Sequence, residues 1–256
     1  MRKNIHYTIA ILVFSLPALI VFSIVVCYPV LNTLYRSFFD WDGFGKPEFI
    51  ALKNYFKLFT KDSSFITAVK NGFIFAGELV VFQIGLGSIL AFLVNSTKRD
   101  RLRKVFKTSY FVPVVLSATV VCQLWLAIYN VEFGLLNKIF EMMGMDFRQA
   151  WLSGKNTAIF AVAFVNAWQY LGIHFVLIYT ALKAIPEYYY EAAVLDGASF
   201  FKLHRHISLP MLGETYKFCL IIAITGGLKG FEQMYIMTGG GPGTNTFTLT
   251  YHMYSA

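Results

Sequence analysis

Apolar residues run through this chain in long blocks, not at the period of a half-buried strand. Five stretches, about 10–31, 72–95, 108–129, 157–182 and 213–237, are each long enough to cross a bilayer. A helix needs roughly 20 such residues to span a hydrocarbon core of about 30 Å. A further apolar stretch begins at about 247 and reads as the start of a sixth span. The pattern predicts an all-α polytopic membrane protein, a single domain over 1–256 with five complete transmembrane helices and an incomplete sixth. The first stretch follows Arg2 and Lys3, yet it is longer than a signal-peptide core and has no small-residue cleavage site, so it reads as an uncleaved span.

Composition agrees with lipid as the solvent. Hydrophobic residues make up 57% of the chain and charged ones 14%, whereas soluble domains carry about 25% charged residues. The net charge of +8 does not point to nucleic acid. Its densest cluster, Lys98, Arg99, Arg101, Arg103, Lys104 and Lys107, sits between two apolar stretches and reads as a cytoplasmic anchor. That places the N-terminus inside a cell (plasma or inner) membrane, the loop 183–210 inside, and the segments 32–71 and 130–155 outside. The outer segment 32–71 interleaves aromatics with charges, which suits either the membrane surface or a docking surface. Cys27, Cys122 and Cys219 each lie within apolar runs without a CxxC or a nearby His, and read as buried thiols.

Polar groups at bilayer depth are costly and so mark candidates for a transport path. Stretch four carries Asn166, Trp168, Gln169, Tyr170 and Gly172; stretch five carries Thr225, Gly226, Gly227, Lys229, Gly230 and Glu232; Glu78, Gln83 and Gln123 lie in the second and third. Amides and carboxylates suit sugar hydroxyls, and aromatic rings suit sugar C–H faces. Helix–helix adhesion is the competing reading for each residue, and Lys229 and Glu232, at i and i+3, are placed to neutralise one another. His174 reads as a structural histidine. His204 and His206, at i and i+2, do not face each other on a helix and do not read as a metal site.

The soluble-looking segment 184–210 is where function becomes legible. Pro186 suits the first position of a helix, Glu187 and Glu191 complement its N-terminal dipole, and the pattern predicts a short amphipathic helix over 187–195. Gly197 supplies a turn, and a second helix is expected from Ser199 toward Pro210. Within it, Glu191-Ala192-Ala193, Gly197 and Ile207-x-Leu209-Pro210 resemble, spacing included, the EAA loop of permease subunits of binding-protein-dependent ABC importers. Tyr28-Pro29, Ser37-Phe38 and Trp41, and then Phe231-Glu232 through Met237-Thr238-Gly239-Gly240-Gly241-Pro242-Gly243, with Tyr251 and Tyr254, resemble the sugar-permease branch. That branch usually has Asp where Glu232 stands.

The resemblance implies the architecture of an ABC type I importer permease. It implies that Glu191, Ala192, Ala193, Asp196, Gly197, Ile207, Leu209 and Pro210 couple the chain to a cytoplasmic ATP-binding subunit. It further implies a sugar path over Asn166, Trp168, Gln169, Tyr170, Gly227, Gly230 and Glu232, and contact of Gly239, Gly240, Gly241 and Pro242 with an extracytoplasmic solute-binding protein. The partners expected are a second permease subunit in a heterodimer, ATP-binding subunits, that solute-binding protein, the lipid bilayer and a sugar substrate. The chain has no GxxxxGK[ST] and no nucleophile–base set, so no cofactor and no enzymatic activity of its own are expected. Family subunits ordinarily complete the sixth span, so either the last helix lies outside this sequence or the subunit is short. The competing readings are a membrane scaffold or sensor that docks an ATPase without transport, and a permease for a solute other than sugar.

Overall fold

The computed structural model describes residues 2–97, 99–145 and 147–255, with side chains from Ile11 onward except Phe200. Lys98 of the basic cluster lies outside the described residues, as do the side chains of Arg2 and Lys3. The chain divides into two compact units, Met1–Ser63 and Ser64–Ala256.

The first unit holds a helical run, Ile11–Arg36, whose most apolar window has no buried residue. An apolar helix exposed on every side has lipid, not protein, as its natural surroundings. A π-helical turn at Ser23–Cys27 precedes Pro29, where the helix loses a backbone donor and its ladder must adjust. Beyond the helix, Phe39–Asp40 and Glu48–Phe49 pair antiparallel, with Phe39 opposite Phe49. Asn54 Nδ2 donates to the carbonyls of Ser37 and Phe39, both at 3.0 Å, while the Arg36 guanidinium lies 4.2 Å above the Trp41 ring. The polar–aromatic segment after the first span therefore has a small fold of its own, closed by hydrogen bonds and a cation–π contact.

The second unit is built around the helix Ala158–Ala184. Its most apolar window is 61% buried, against 28% for the helix Ser63–Ser96, so the fourth apolar stretch is the centre of the bundle. Ser63–Ser96 and Asp100–Val115 pack along it. Among the described residues, three helices are long and apolar enough to cross a membrane, or five if each of two bent pairs counts as one span.

The bends fall where local chemistry ends a helix. The apolar stretch 108–129 is carried by Asp100–Val115 and Ala118–Ile128, which meet at 101°. Leu116 and Ser117 are extended at the joint, and the Ser117 hydroxyl caps the second helix by accepting from the Val120 N–H at 3.4 Å. Gln169 Nε2 donates to the freed Leu116 carbonyl at 3.0 Å. The second bent pair is Phe201–Met211 and Gly213–Leu228, at 67°, and the stretch 213–237 is itself two helices, Gly213–Leu228 and Glu232–Met237, joined by a non-helical turn. Here Gly226, Gly227 and Gly230 weaken the helix, and Thr248 Oγ1 donates to the Gly230 carbonyl at 2.6 Å. Apolar periodicity alone does not register either joint.

Two glycines set interhelical distances. A Cβ on Gly172 would run into the backbone carbonyl of Tyr110, and one on Gly227 into the Cα of Ala76. Gly77 has open space around the same position. Gly172→Ala is expected to lower stability by about 1–3 kcal/mol through overpacking, whereas Gly77→Ala should be neutral or stabilising by up to about 1 kcal/mol through helix propensity. Thermal unfolding of the detergent-solubilised variants checks the opposite signs.

Candidate functional site

A cavity of about 440 Å³ opens where the helix Ala158–Ala184, the π-helical turn Val80–Leu86 and the joint of the fifth stretch come together. Asn166, Tyr170 and His174 line it because residues four apart share one helix face. Gln83 enters from the π-helical turn, a geometry often found where a helix serves a site. Lys229, Gly230, Phe231, Glu232 and Gln233 enter from the joint, whose break turns polar side chains off the axis of the preceding helix.

The polar groups of the wall are only partly satisfied by one another. Gln83 Nε2 donates to Asn166 Oδ1 at 3.3 Å, and His174 Nδ1 lies 3.4 Å from the Tyr170 carbonyl. His174 and Gln233 are almost wholly buried, only 1% and 2% exposed. His174 is packed as a structural histidine is, buried and with Nδ1 on the Tyr170 carbonyl. Lys229 and Glu232 form no direct ion pair with each other, unlike the i, i+3 pairs Arg103–Asp100 and Lys217–Glu214.

Of the residues singled out for a path, Asn166, Tyr170, Gly230 and Glu232 reach this wall. Trp168, Gln169 and Gly227 are engaged elsewhere. Trp168 packs edge-on against Trp125, with centroids 5.6 Å apart; Gln169 caps the bend at Leu116; Gly227 faces the backbone of Ala76. Their contacts are those of helix packing. His174 and Gln233 line the wall without having been singled out for a path from sequence, and Gln83 and Lys229, named there among the polar groups at bilayer depth, line it too. For His174 the signal was present, since it continues the four-residue spacing that starts at Asn166. For Gln233 it was not, because a continuous fifth helix gives it a different direction.

The segment 184–210 folds on itself. Its first helix runs Glu187–Leu195, with Pro186 in extended conformation at the cap, one position earlier than the first helical turn expected for it. Gly197 has φ +75°; its N–H reaches the Val194 carbonyl at 3.0 Å, and the Ala198 N–H reaches the Ala193 carbonyl at 2.9 Å. These two bonds complete a Schellman motif, which satisfies the last carbonyls of the helix. No residue of this helix is buried, and Glu191, Ala192 and Asp196 are exposed. The second half is Phe200–Leu203, a π-helical turn His204–Ser208 and Leu209–Met211, which carries Ile207, Leu209 and Pro210. Ser208 is fully buried, its hydroxyl 2.9 Å from Tyr190 Oη and 2.8 Å from His204 Nδ1. The His204 ring meets Phe92 edge-on at 4.8 Å. One hydroxyl thus ties both halves of the loop together, and His204 seats them on the end of the helix Ser63–Ser96.

At the far end of the fifth stretch, Gly239 and Gly240 have φ +56° and +79°. Gly240 is packed so closely against the Phe247 and Tyr251 rings that a side chain would not fit. Thr246 Oγ1 lies 2.7 Å from Thr238 Oγ1 and donates to the Gly241 carbonyl at 3.0 Å, which closes the Gly239-Gly240-Gly241-Pro242 segment into a compact loop.

Comparison with known proteins places this geometry. The probable ABC transporter permease protein YurN of Bacillus subtilis is 37% identical over 245 residues, covering 95% of this chain and 83% of that protein. The trehalose/maltose transport system permease protein MalF of Thermococcus litoralis is 30% identical over 239 residues, 92% of this chain and 79% of that protein. A crystal structure of a bacterial ABC transporter involved in import of the acidic polysaccharide alginate contains a chain of the same fold. Its TM-score is 0.80 at 24% identity, over 98% of this chain and 85% of that one. Residues 83–255 match the family described as the binding-protein-dependent transport system inner membrane component. That match takes in the cavity wall, the loop 184–210 and the glycine-rich segment, and the chain belongs to this family of multi-pass membrane permeases.

Proposed function

We propose that this chain is one permease subunit of an ATP-driven importer for an uncharged sugar or oligosaccharide, and forms half of the translocation path. The observation that carries the reading is the cavity at the joint of the fifth stretch and the mixture of amides, rings and charges on its wall. Its wall offers amides from Gln83, Asn166 and Gln233, rings from Tyr170 and Phe231, and one charge of each sign, Lys229 and Glu232. Hydroxyl groups donate and accept at once and so satisfy such a wall, whereas a polyanion would call for an excess of cations. Relatives whose names specify neutral sugars, such as the trehalose/maltose permease, support the substrate class.

The loop 184–210 supports the coupling half of the proposal. Its exposed helix, with small Ala192 and Ala193, is shaped for a groove of a cytoplasmic ATP-binding subunit, and Glu191 for a basic or N–H-rich surface. ATP bound elsewhere shifts the populations of outward- and inward-facing states through this contact, because the loop itself supplies no energy. The N-terminus and this loop are then cytoplasmic, a second permease subunit completes the path, and the closed loop 239–242 faces a solute-binding protein outside.

In proteoliposomes holding the complete importer, ATP-dependent uptake of radiolabelled maltose, trehalose or arabino-oligosaccharide is expected; absence of uptake across this panel counts against the sugar reading. Asn166→Ala and Glu232→Ala should each weaken substrate stimulation of ATP hydrolysis by about tenfold, as the loss of a ligand hydrogen bond to a polar wall implies. Unchanged substrate dependence in both removes them from the path.

For coupling, Gly197→Asp at normal complex levels should abolish transport-coupled hydrolysis. Gly197→Ala should cost little, about 1–2 kcal/mol of backbone strain, because no neighbour obstructs a Cβ there. Intact coupled hydrolysis in the Asp variant would sink the coupling role.

A further inference from the structure

The joint that turns Glu232 and Gln233 into the cavity is not held by its own helices. At 229–231 the ladder is interrupted: Lys229 N–H still bonds Thr225 O and Gly230 N–H bonds Gly227 O, but Phe231 leaves helical conformation at φ −138°, ψ −53°. The Gly230 carbonyl, buried at this point, needs a donor from elsewhere. It receives one from residue 248, eighteen positions on in the chain. Thr248 is fully buried, and its hydroxyl donates to Gly230 O at 2.6 Å while accepting from the Tyr251 N–H at 3.4 Å. One hydroxyl thus caps the helix Leu249–Ser255 and fixes the joint.

Thr248 is itself positioned from the other side. Asn71 Nδ2, in the helix Ser63–Leu79, donates to the carbonyls of Asn245 and Phe247, each at 2.9 Å. Thr246 closes the glycine-rich loop just before it through Gly241 and Thr238. A chain of hydrogen bonds and short backbone links therefore runs from the loop 239–242, through Thr248, to the carbonyl of a cavity-lining residue.

We propose that Thr248 is a positioning residue that transmits the state of the glycine-rich loop to the cavity, setting where Glu232 and Gln233 stand. This rests on the reading of the cavity as the sugar path. A displacement of the loop on docking of the solute-binding protein moves the Thr248 hydroxyl, and the joint moves with the carbonyl bonded to it. Thr248 acts through Gly230 and does not touch substrate.

The test uses the complete importer in proteoliposomes, with Cys27, Cys122 and Cys219 replaced by alanine and one reporter cysteine added, Glu232→Cys or, as a control far from the joint, Lys217→Cys. Maleimide reaction rates are measured per assembled complex with and without the solute-binding protein, in Thr248, Thr248→Val and Thr248→Ser backgrounds. The binding protein should change the rate at position 232 severalfold in the Thr248 and Ser backgrounds and leave it unchanged in the Val background, with position 217 indifferent throughout. In the cysteine-intact importer, Thr248→Val should raise the KM for the binding protein loaded with whichever panel sugar is transported by about tenfold, the size expected for one lost buried hydrogen bond. The kcat should stay within about twofold, and Ser should restore the parent KM. If the Val variant does not assemble, Thr248→Ala carries the same comparison.

A binding-protein response at position 232 that persists in the Val background overturns the proposal, and so does a Ser variant that behaves as Val does. If no panel sugar is transported, the sugar reading fails, while the maleimide rates still decide the role of Thr248.

Discussion

Inside a bilayer a backbone carbonyl without a donor has no water to turn to, and this constraint organises the second unit. Two of the interruptions in its stretches of membrane-spanning length are each answered by one side chain from a distant part of the sequence. Gln169 meets the Leu116 carbonyl and Thr248 meets that of Gly230. The breaks are tolerated only because these donors arrive, so the two bonds determine where the third and fifth stretches change direction. The direction change at Gly230 in turn creates the cavity. Satisfaction of the main chain comes first, and the site is its geometrical result.

The helix Ala158–Ala184 divides its faces between these tasks. Gly172 lets Tyr110 approach to backbone contact, Gln169 caps the neighbouring bend, and Trp168 packs on Trp125. The line through Asn166, Tyr170 and His174 is left for the cavity. Residues adjacent in sequence thus do unrelated work. An amide at position 169 holds the fold and an amide at 166 faces the opening, though their chemistry is the same.

That division explains how far the sequence could be read. Long apolar blocks announce membrane helices whatever their packing, and the fixed spacing of Glu191-Ala192-Ala193, Gly197 and Ile207-x-Leu209-Pro210 identifies the family, because spacing survives where side-chain contacts are unknown. The joints were not legible: the glycines at 226–230 were noticed only as path candidates, and the donors that let the breaks stand lie 18 and 53 positions away. The polar residues suffered most. Trp168 and Gln169 look as suited to sugar as Asn166 does, and only the rotation of the helix separates them. Gln233 lines the cavity because of a break that an apolar count runs straight through.

The Schellman closure at Gly197 has a consequence for association. A loop that leaves its carbonyls open must lose conformational freedom when it is grasped, and that loss is subtracted from the affinity. Here Ala193 and Val194 already have their donors, and Ser208 holds the two halves together before any partner arrives. A partner that seats on this loop meets a finished shape, so little of the contact energy is spent on ordering it. The His204 ring, edge-on to Phe92, joins this finished shape to the helix Ser63–Ser96.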